Sequence, residues 1–251
     1  MKYLLTISYC GTRYSGWQSQ KNGTGVQQIL TQACNELFGI KCNVTGCSRT
    51  DAGVHALEFR AALCPSEGEF TSDIPAEKIP FALNSRLPED ISVICCECVP
   101  DEFHPRYSAK GKTYRYILLN SRIRMPLYEN RAYLTKRMLT ADDIARMNVA
   151  ASFLVGTHDF SSFMAAGSKV TDTVRTITEF SVTTDAGLVI LSVSADGFLY
   201  NMVRILSGTL LDVGLGKLLP DDIPGIIDAR DRKKAGPTLP PYALYLAKVY
   251  Y

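Results

Sequence analysis

Short runs in which apolar residues alternate with polar ones, or follow one another as β-branched residues, mark strands at about residues 2–9 (KYLLTISY), 42–47, 54–64 (VHALEFRAALC) and 91–99 (ISVICCECV). Between them, apolar residues at three- and four-residue spacing predict helices at about 25–38 (GVQQILTQACNELF) and 75–85. The order is β-α-β-β-α-β. From residue 112 it starts again: a strand at 112–119 (KTYRYILL), a helix at 140–154, strands at 173–183 and 187–195, helices at 198–212 and 220–229, and a last strand at 243–250. The expected fold is therefore α+β. It consists of two tandem ferredoxin-like (β-α-β-β-α-β) halves, residues 1–104 and 105–251, with mixed or antiparallel sheets, a central cleft, and 100–111 as the connector. No residue-level similarity joins the two halves, so coincidence of common elements is the competing explanation.

Composition narrows the class. The chain has 251 residues, 46% of them hydrophobic and 21% charged, which suits a folded protein with a sizeable core and excludes disordered and collagen-like chains. No run approaches the ~18 apolar residues of a membrane span. The apolar stretch 3–7 after Lys2 is too short for a secretory leader, so a cytoplasmic location is expected. There, the eight cysteines read as free, mostly buried thiols. Cys95 and Cys98 form a CxxC, but neither the other cysteines nor His55, His104 and His158 supply a second ligand pair at zinc spacing, so no metal is expected.

The net charge of +2 hides an asymmetry. Residues 1–104 hold 8 basic and 12 acidic side chains, leaving 19 basic and 13 acidic for residues 105–251. Nine of the basic residues (Arg106, Lys110, Lys112, Arg115, Arg122, Arg124, Arg131, Lys136 and Arg137) fall within 105–137, against the single acid Glu129 and beside five tyrosines. Positive charge attracts phosphates whatever the sequence, and tyrosine rings stack on unpaired bases, so the interleaving suits a folded RNA with accessible loop bases. A solvated face is the plainer alternative.

Several chemistries fail on their spacing. Gly11-Thr-Arg-Tyr-Ser-Gly16 has phosphate-loop glycines, but Trp17 stands where a lysine must reach the phosphates. Val213-Gly-Leu-Gly-Lys217 lacks the third glycine of a dinucleotide fingerprint, and no serine sits in a G-x-S-x-G elbow. What remains is Cys47-Ser-Arg-Thr-Asp-Ala-Gly-Val-His-Ala56, a polar turn between two strands that clusters Arg49, Asp51 and His55. Alone it is an ordinary Asp/Gly turn. The second half adds an apolar helix, Asp196-Gly-Phe-Leu-Tyr-Asn-Met-Val-Arg204-Ile-Leu-Ser-Gly208, whose one arginine needs an anionic partner if its face is buried.

The segments SGWQ (15–18), SRTDAGVHA (48–56), LNSRLPEDI (83–91), FHPRYSAKGKTYRY (103–116), HDFSSF (158–163), DGFLYNMVRILSG (196–208) and AGPTLPP (235–241) occur in the order found in the TruA family of tRNA pseudouridine synthases, which the chain resembles over essentially its whole length. The resemblance implies isomerisation of uridines 38 to 40 in the anticodon stem-loop of tRNA to pseudouridine, without a cofactor and by a homodimer. It places the family's nucleophile on Asp51, the tyrosine packed against the target base on Tyr114, the arginine paired with the nucleophile on Arg204, and the arginine of base extrusion on Arg49. The residue types suit the chemistry: a carboxylate can attack covalently or stabilise an electron-poor sugar, and a facing arginine keeps it ionised.

Cys10, Ser48 and Tyr242-Ala243 depart from the family pattern, outside those positions. A catalytically inactive tRNA-binding paralogue is the alternative reading. A zinc-dependent base deaminase would need ligand spacing that this chain lacks.

Overall fold

The computed structural model describes residues 2–20, 23–70, 74–168 and 170–251. β1 (Lys2–Tyr9) lies between β3 (His55–Pro65) and β4 (Ile91–Val99), antiparallel to both, with Tyr3 opposite Leu63 on one side and Cys98 on the other. Its side chains from Tyr3 to Ile7 are all buried, which is why this strand reads as a near-continuous apolar run rather than an alternation. β2 (Cys42–Gly46) runs antiparallel along the far end of β3, completing the 4-1-3-2 strand order of a ferredoxin-like sheet.

α1 (Val26–Phe38) packs beside β2 and α2 (Ile79–Asn84) and buries Val26, Leu30, Ala33, Cys34 and Phe38, the stripe expected from helical spacing. It stops at Gly39, whose positive φ of 67° closes the helix in the left-handed conformation. The Asn84 side chain fixes α2 to β4 by pairing with both backbone groups of Val93, donating to its O at 2.9 Å and accepting from its N–H at 2.8 Å.

The second unit contains β5 (Gly111–Leu119), β6 (Tyr133–Leu134), α3 (Ala141–Ser152), β7 (Gly156–Asp159), β8 (Val174–Asp185), β9 (Leu188–Ala195), α4 (Met202–Gly214) and α5 (Asp222–Ala229). Its sheet runs β5-β9-β8-β7, antiparallel throughout, with the two-residue β6 parallel to β5. Asn148 of α3 clips Val182 of β8 through the same double amide pairing (2.8 and 2.9 Å).

The last strand, β10 (Leu244–Tyr250), pairs in parallel with β3 through Tyr245 and Leu246, so the two compact units are Met1–Lys110 with Tyr245–Tyr251, and Gly111–Leu244. The fold is α+β, with a mixed sheet. No helix among the described residues is long and apolar enough to cross a membrane.

None of the eight cysteines is in a disulfide, and Cys34, Cys42, Cys47 and Cys96 are buried. Cys95 and Cys98 are exposed, against the expectation of mostly buried thiols. They sit on a strand whose burial runs in and out, so an apolar-looking sequence there does not mean a covered one.

One buried carboxylate organises the second unit. Asp143, 4% exposed, caps α3 in a reciprocal capping box with Thr140 and pairs with Arg137 (2.6 Å) and Arg146. Arg137 also donates to Gly214 O at the end of α4 (2.8 Å), so the cluster ties that helix to the start of α3. Hydrogen bonds from Arg137, opposed by burial and joined by those from Thr140 and Arg146, hold the Asp143 carboxyl well below its usual range.

A depressed carboxyl stabilises the fold above the unfolded value of ~3.9 and loses that contribution as pH falls toward its folded value. Asp143→Ala should therefore cost roughly 2 kcal/mol at pH 7, less than a fully buried pair because both arginines are part-exposed. Urea unfolding should show the gap from wild type narrowing below about pH 4.

Candidate active site

The chain leaves the β2–β3 ladder at Cys47, whose N–H still donates to Arg60 O (2.8 Å), and re-enters it at His55. The eight residues Cys47–Val54 form the arginine- and aspartate-bearing loop. Thr50 is buried and its hydroxyl lies 2.9 Å from the Tyr9 hydroxyl, while its carbonyl accepts from Trp17 N–H at 3.4 Å. Gly53 donates to Tyr14 O (3.2 Å), and Val54 N–H closes a turn on Asp51 O (3.2 Å). His55 is 2% exposed, stacks on Tyr245 at 4.7 Å, and accepts at Nδ1 from Gly11 N–H (3.0 Å), so Nδ1 carries no proton. Asp51 is thus flanked by two anchored residues and is itself half-buried; Arg49, two residues earlier, is exposed.

The 9–18 segment forms the support under this loop. Gly16 has φ 89° and passes so close to Thr50 that a Cβ there would stand 2.2 Å from Thr50 O, which explains the glycine of SGWQ. The Trp17 ring next to it stacks on Phe59 of β3 (4.0 Å, 24°). The support is clasped in turn by Asp90 of the LNSRLPEDI segment, which takes Arg13 Nε at 2.7 Å and the Tyr14 hydroxyl at 2.6 Å and accepts Cys10 N–H on its carbonyl (2.9 Å). Burial together with the Asp90 bond pushes the Tyr14 phenol up to about 12, so it stays a donor. Cys10 enters this clasp through its backbone, which does not depend on its side chain.

Tyr114 and Arg204 belong to the second unit. Tyr114 is buried on β5, opposite Val193, with its ring nearly perpendicular to that of Phe198 at 5.1 Å. Arg204 is half-buried in the first turn of α4. Its Nε donates to Leu239 O (2.7 Å) and its Nη1 to Asn201 Oδ1 (2.6 Å).

Leu239 belongs to a strap, residues 235–241 (AGPTLPP), laid along α4. Gly236 N–H donates to Thr209 Oγ1 (2.9 Å), and Leu239 N–H donates to Arg204 O (3.3 Å). The Tyr116 hydroxyl donates to Pro240 O (2.9 Å), and Arg232 braces the strap through Ala235 O and Thr238 Oγ1 (3.2 and 3.0 Å). Burial drives the Tyr116 phenol far above its ordinary value, so this bond persists at any physiological pH.

Arg49 and Asp51 therefore share one loop of the first unit, and in the second unit Tyr114 meets Phe198, which precedes α4. Asp90, Tyr116, Asn201 and the strap carbonyls were not singled out from sequence, although all lie in or beside the quoted motifs. A carbonyl acceptor has no side-chain signature, and a clasp shows only when its partners meet in space.

A family model described as tRNA pseudouridine synthase matches residues 5–108 and 150–251, well over half of the chain. The chain belongs to the tRNA pseudouridine synthase family. This is a family of isomerases, and the likeness to its members runs end to end. tRNA pseudouridine synthase A of Thermoanaerobacter sp. (strain X514) is 46% identical over 248 residues, 99% of this chain and 98% of its own length. The protein of that name from Ruminiclostridium cellulolyticum is 46% identical over 251 residues, covering 100% and 99%. tRNA pseudouridine synthase A 2 of Clostridium tetani is 45% identical over 249 residues, covering 98% and 97%. Of the four candidate residues of this family member, Arg49, Asp51 and Arg204 fall inside the matched segments, while Tyr114 falls between them.

Proposed function

We propose that the protein converts uridines 38 to 40 in the anticodon stem-loop of tRNA to pseudouridine, with Asp51 as nucleophile. End-to-end similarity to relatives named tRNA pseudouridine synthase A, together with an RTD loop braced on both sides of its aspartate, carries this reading.

The glycosidic bond from N1 to C1′ breaks, the uracil turns, and C5 bonds to C1′. C5 loses its proton and N1 gains one. No electron transfer is involved, so the reaction asks the protein for charge stabilisation and confinement rather than for a prosthetic group. Asp51 supplies the negative charge, with Arg204 as its cationic partner, and the Tyr114 ring bounds the detached base. The uridine must first leave its stack, at a cost of a few kcal/mol, and Arg49, exposed beside Asp51, fills the space it vacates.

Eight of the nine basic residues of 105–137 are exposed, which suits phosphate contacts along the RNA. In this reading the enzyme works as a homodimer, as the family resemblance implies, and in the cytoplasm, as expected from its sequence.

The test is incubation with tRNA carrying tritium at uridine C5. Label should appear in water, and mapping of the product should place pseudouridine at positions 38 to 40. No release from any tRNA overturns the reading, and tRNA binding without release would identify a non-catalytic paralogue instead.

A further inference from the structure

We propose that Asn201 is a positioning residue for Arg204, an inference that rests on the reading above in which Arg204 partners the nucleophile. Asn201 is the residue before the first turn of α4, where asparagine ordinarily adopts an extended conformation and turns its side chain onto the free N–H groups of the helix. Here it does neither. Its backbone is left-handed (φ 59°, ψ 10°), and its side chain makes no cap hydrogen bond. Instead Oδ1 accepts from Arg204 Nη1 at 2.6 Å, three residues ahead on the same face.

The left-handed conformation is one that asparagine tolerates better than most residues. With Leu239 O receiving Nε from the strap, two fixed acceptors hold two different nitrogens of the guanidinium. A planar group held at two points has its plane set, so the remaining N–H groups point in a defined direction. Asn201 exchanges a helix cap for the orientation of Arg204, a trade that makes sense where that orientation matters to the reaction.

Glycine accepts φ 59° without strain, so Asn201→Gly removes the acceptor while keeping the backbone. Asn201→Asp keeps both the acceptor and the tolerance of that conformation. With tRNA as substrate, Asn201→Gly should retain the wild-type unfolding midpoint and lose at least about tenfold in kcat, with KM changed by less than about twofold. Asn201→Asp should stay within about threefold of wild-type kcat.

Wild-type kcat in Asn201→Gly, or equal losses in the two variants, overturns the proposal. Arg204→Ala separates the two levels. If it is inactive while Asn201→Gly is fully active, only the role of Asn201 fails. If Arg204→Ala is fully active, the reading of Arg204 fails and the role of Asn201 with it.

Discussion

Asp51→Asn should abolish tritium release from C5-labelled tRNA, lowering turnover on the order of a thousand-fold or more, with little change in stability or in tRNA affinity. The carboxamide has the size and shape of the carboxylate but no negative charge, so it can neither attack C1′ effectively nor stabilise a sugar that is losing its base. Much of the loop's shape is held by bonds that do not involve that carboxylate. These are the backbone bonds from Cys47, Gly53 and Val54 and those of the buried Thr50 and His55 on either side, and asparagine suits turns as well as aspartate does.

Affinity for RNA, summed over many phosphate contacts, should therefore persist. Asp51→Ala provides an independent check, because a charge-free side chain of another size should give the same loss. Retention of even a tenth of wild-type turnover in both variants would remove Asp51 from the nucleophile's place.

The loop around Asp51 was legible in the sequence as a polar turn between two apolar runs, and the family resemblance gives the aspartate its proposed role. Much of the fold was legible for a related reason. β1 and β4 have the predicted bounds, since an apolar run ended by turn residues states its own length. β7, a polar four-residue strand (GTHD), and the two-residue β6 gave no alternation to read, and both exist because a neighbouring strand supplies their partners.

The helix expected from residue 198 begins at Met202. Phe198 and Leu199 fit its apolar periodicity, but the left-handed Asn201 breaks the helix behind them. The helix expected at 75–85 opens as a 3-10 turn, Ala76–Lys78, before Pro80 enters the first turn of α2. Each departure is a backbone event, which composition and periodicity do not report.

The strap is the clearest case, and it supports the second large prediction: Gly208→Ala should destabilise the protein by roughly 2–4 kcal/mol, or about 5–15 °C in unfolding midpoint, and should also depress kcat. A Cβ on Gly208 would stand 1.9 Å from Pro237 O, and one on Gly236 would stand 2.6 Å from the backbone N of Thr209. Helix and strap thus touch backbone to backbone through two glycines. Neither obstacle is the end of a flexible side chain, so the strap itself must retreat.

Retreat stretches the bonds from Gly236 N–H to Thr209, from Leu239 N–H to Arg204 O and from Arg204 Nε to Leu239 O. Each broken bond costs about 0.5–1.5 kcal/mol, and more where a buried group is left without a partner. Against this stands the gain of about 1 kcal/mol from placing alanine for glycine inside a helix, too small to reverse the sign.

Gly225 supplies the control. It lies within α5, and a Cβ added there would meet nothing within 4 Å, so Gly225→Ala should be neutral or stabilising by up to about 1 kcal/mol. Differential scanning calorimetry of the two variants separates close approach from helix propensity. If both behave alike, the strap does not bear on α4. If Gly208→Ala loses stability but keeps wild-type kcat, Arg204 does not depend on the strap for its aim.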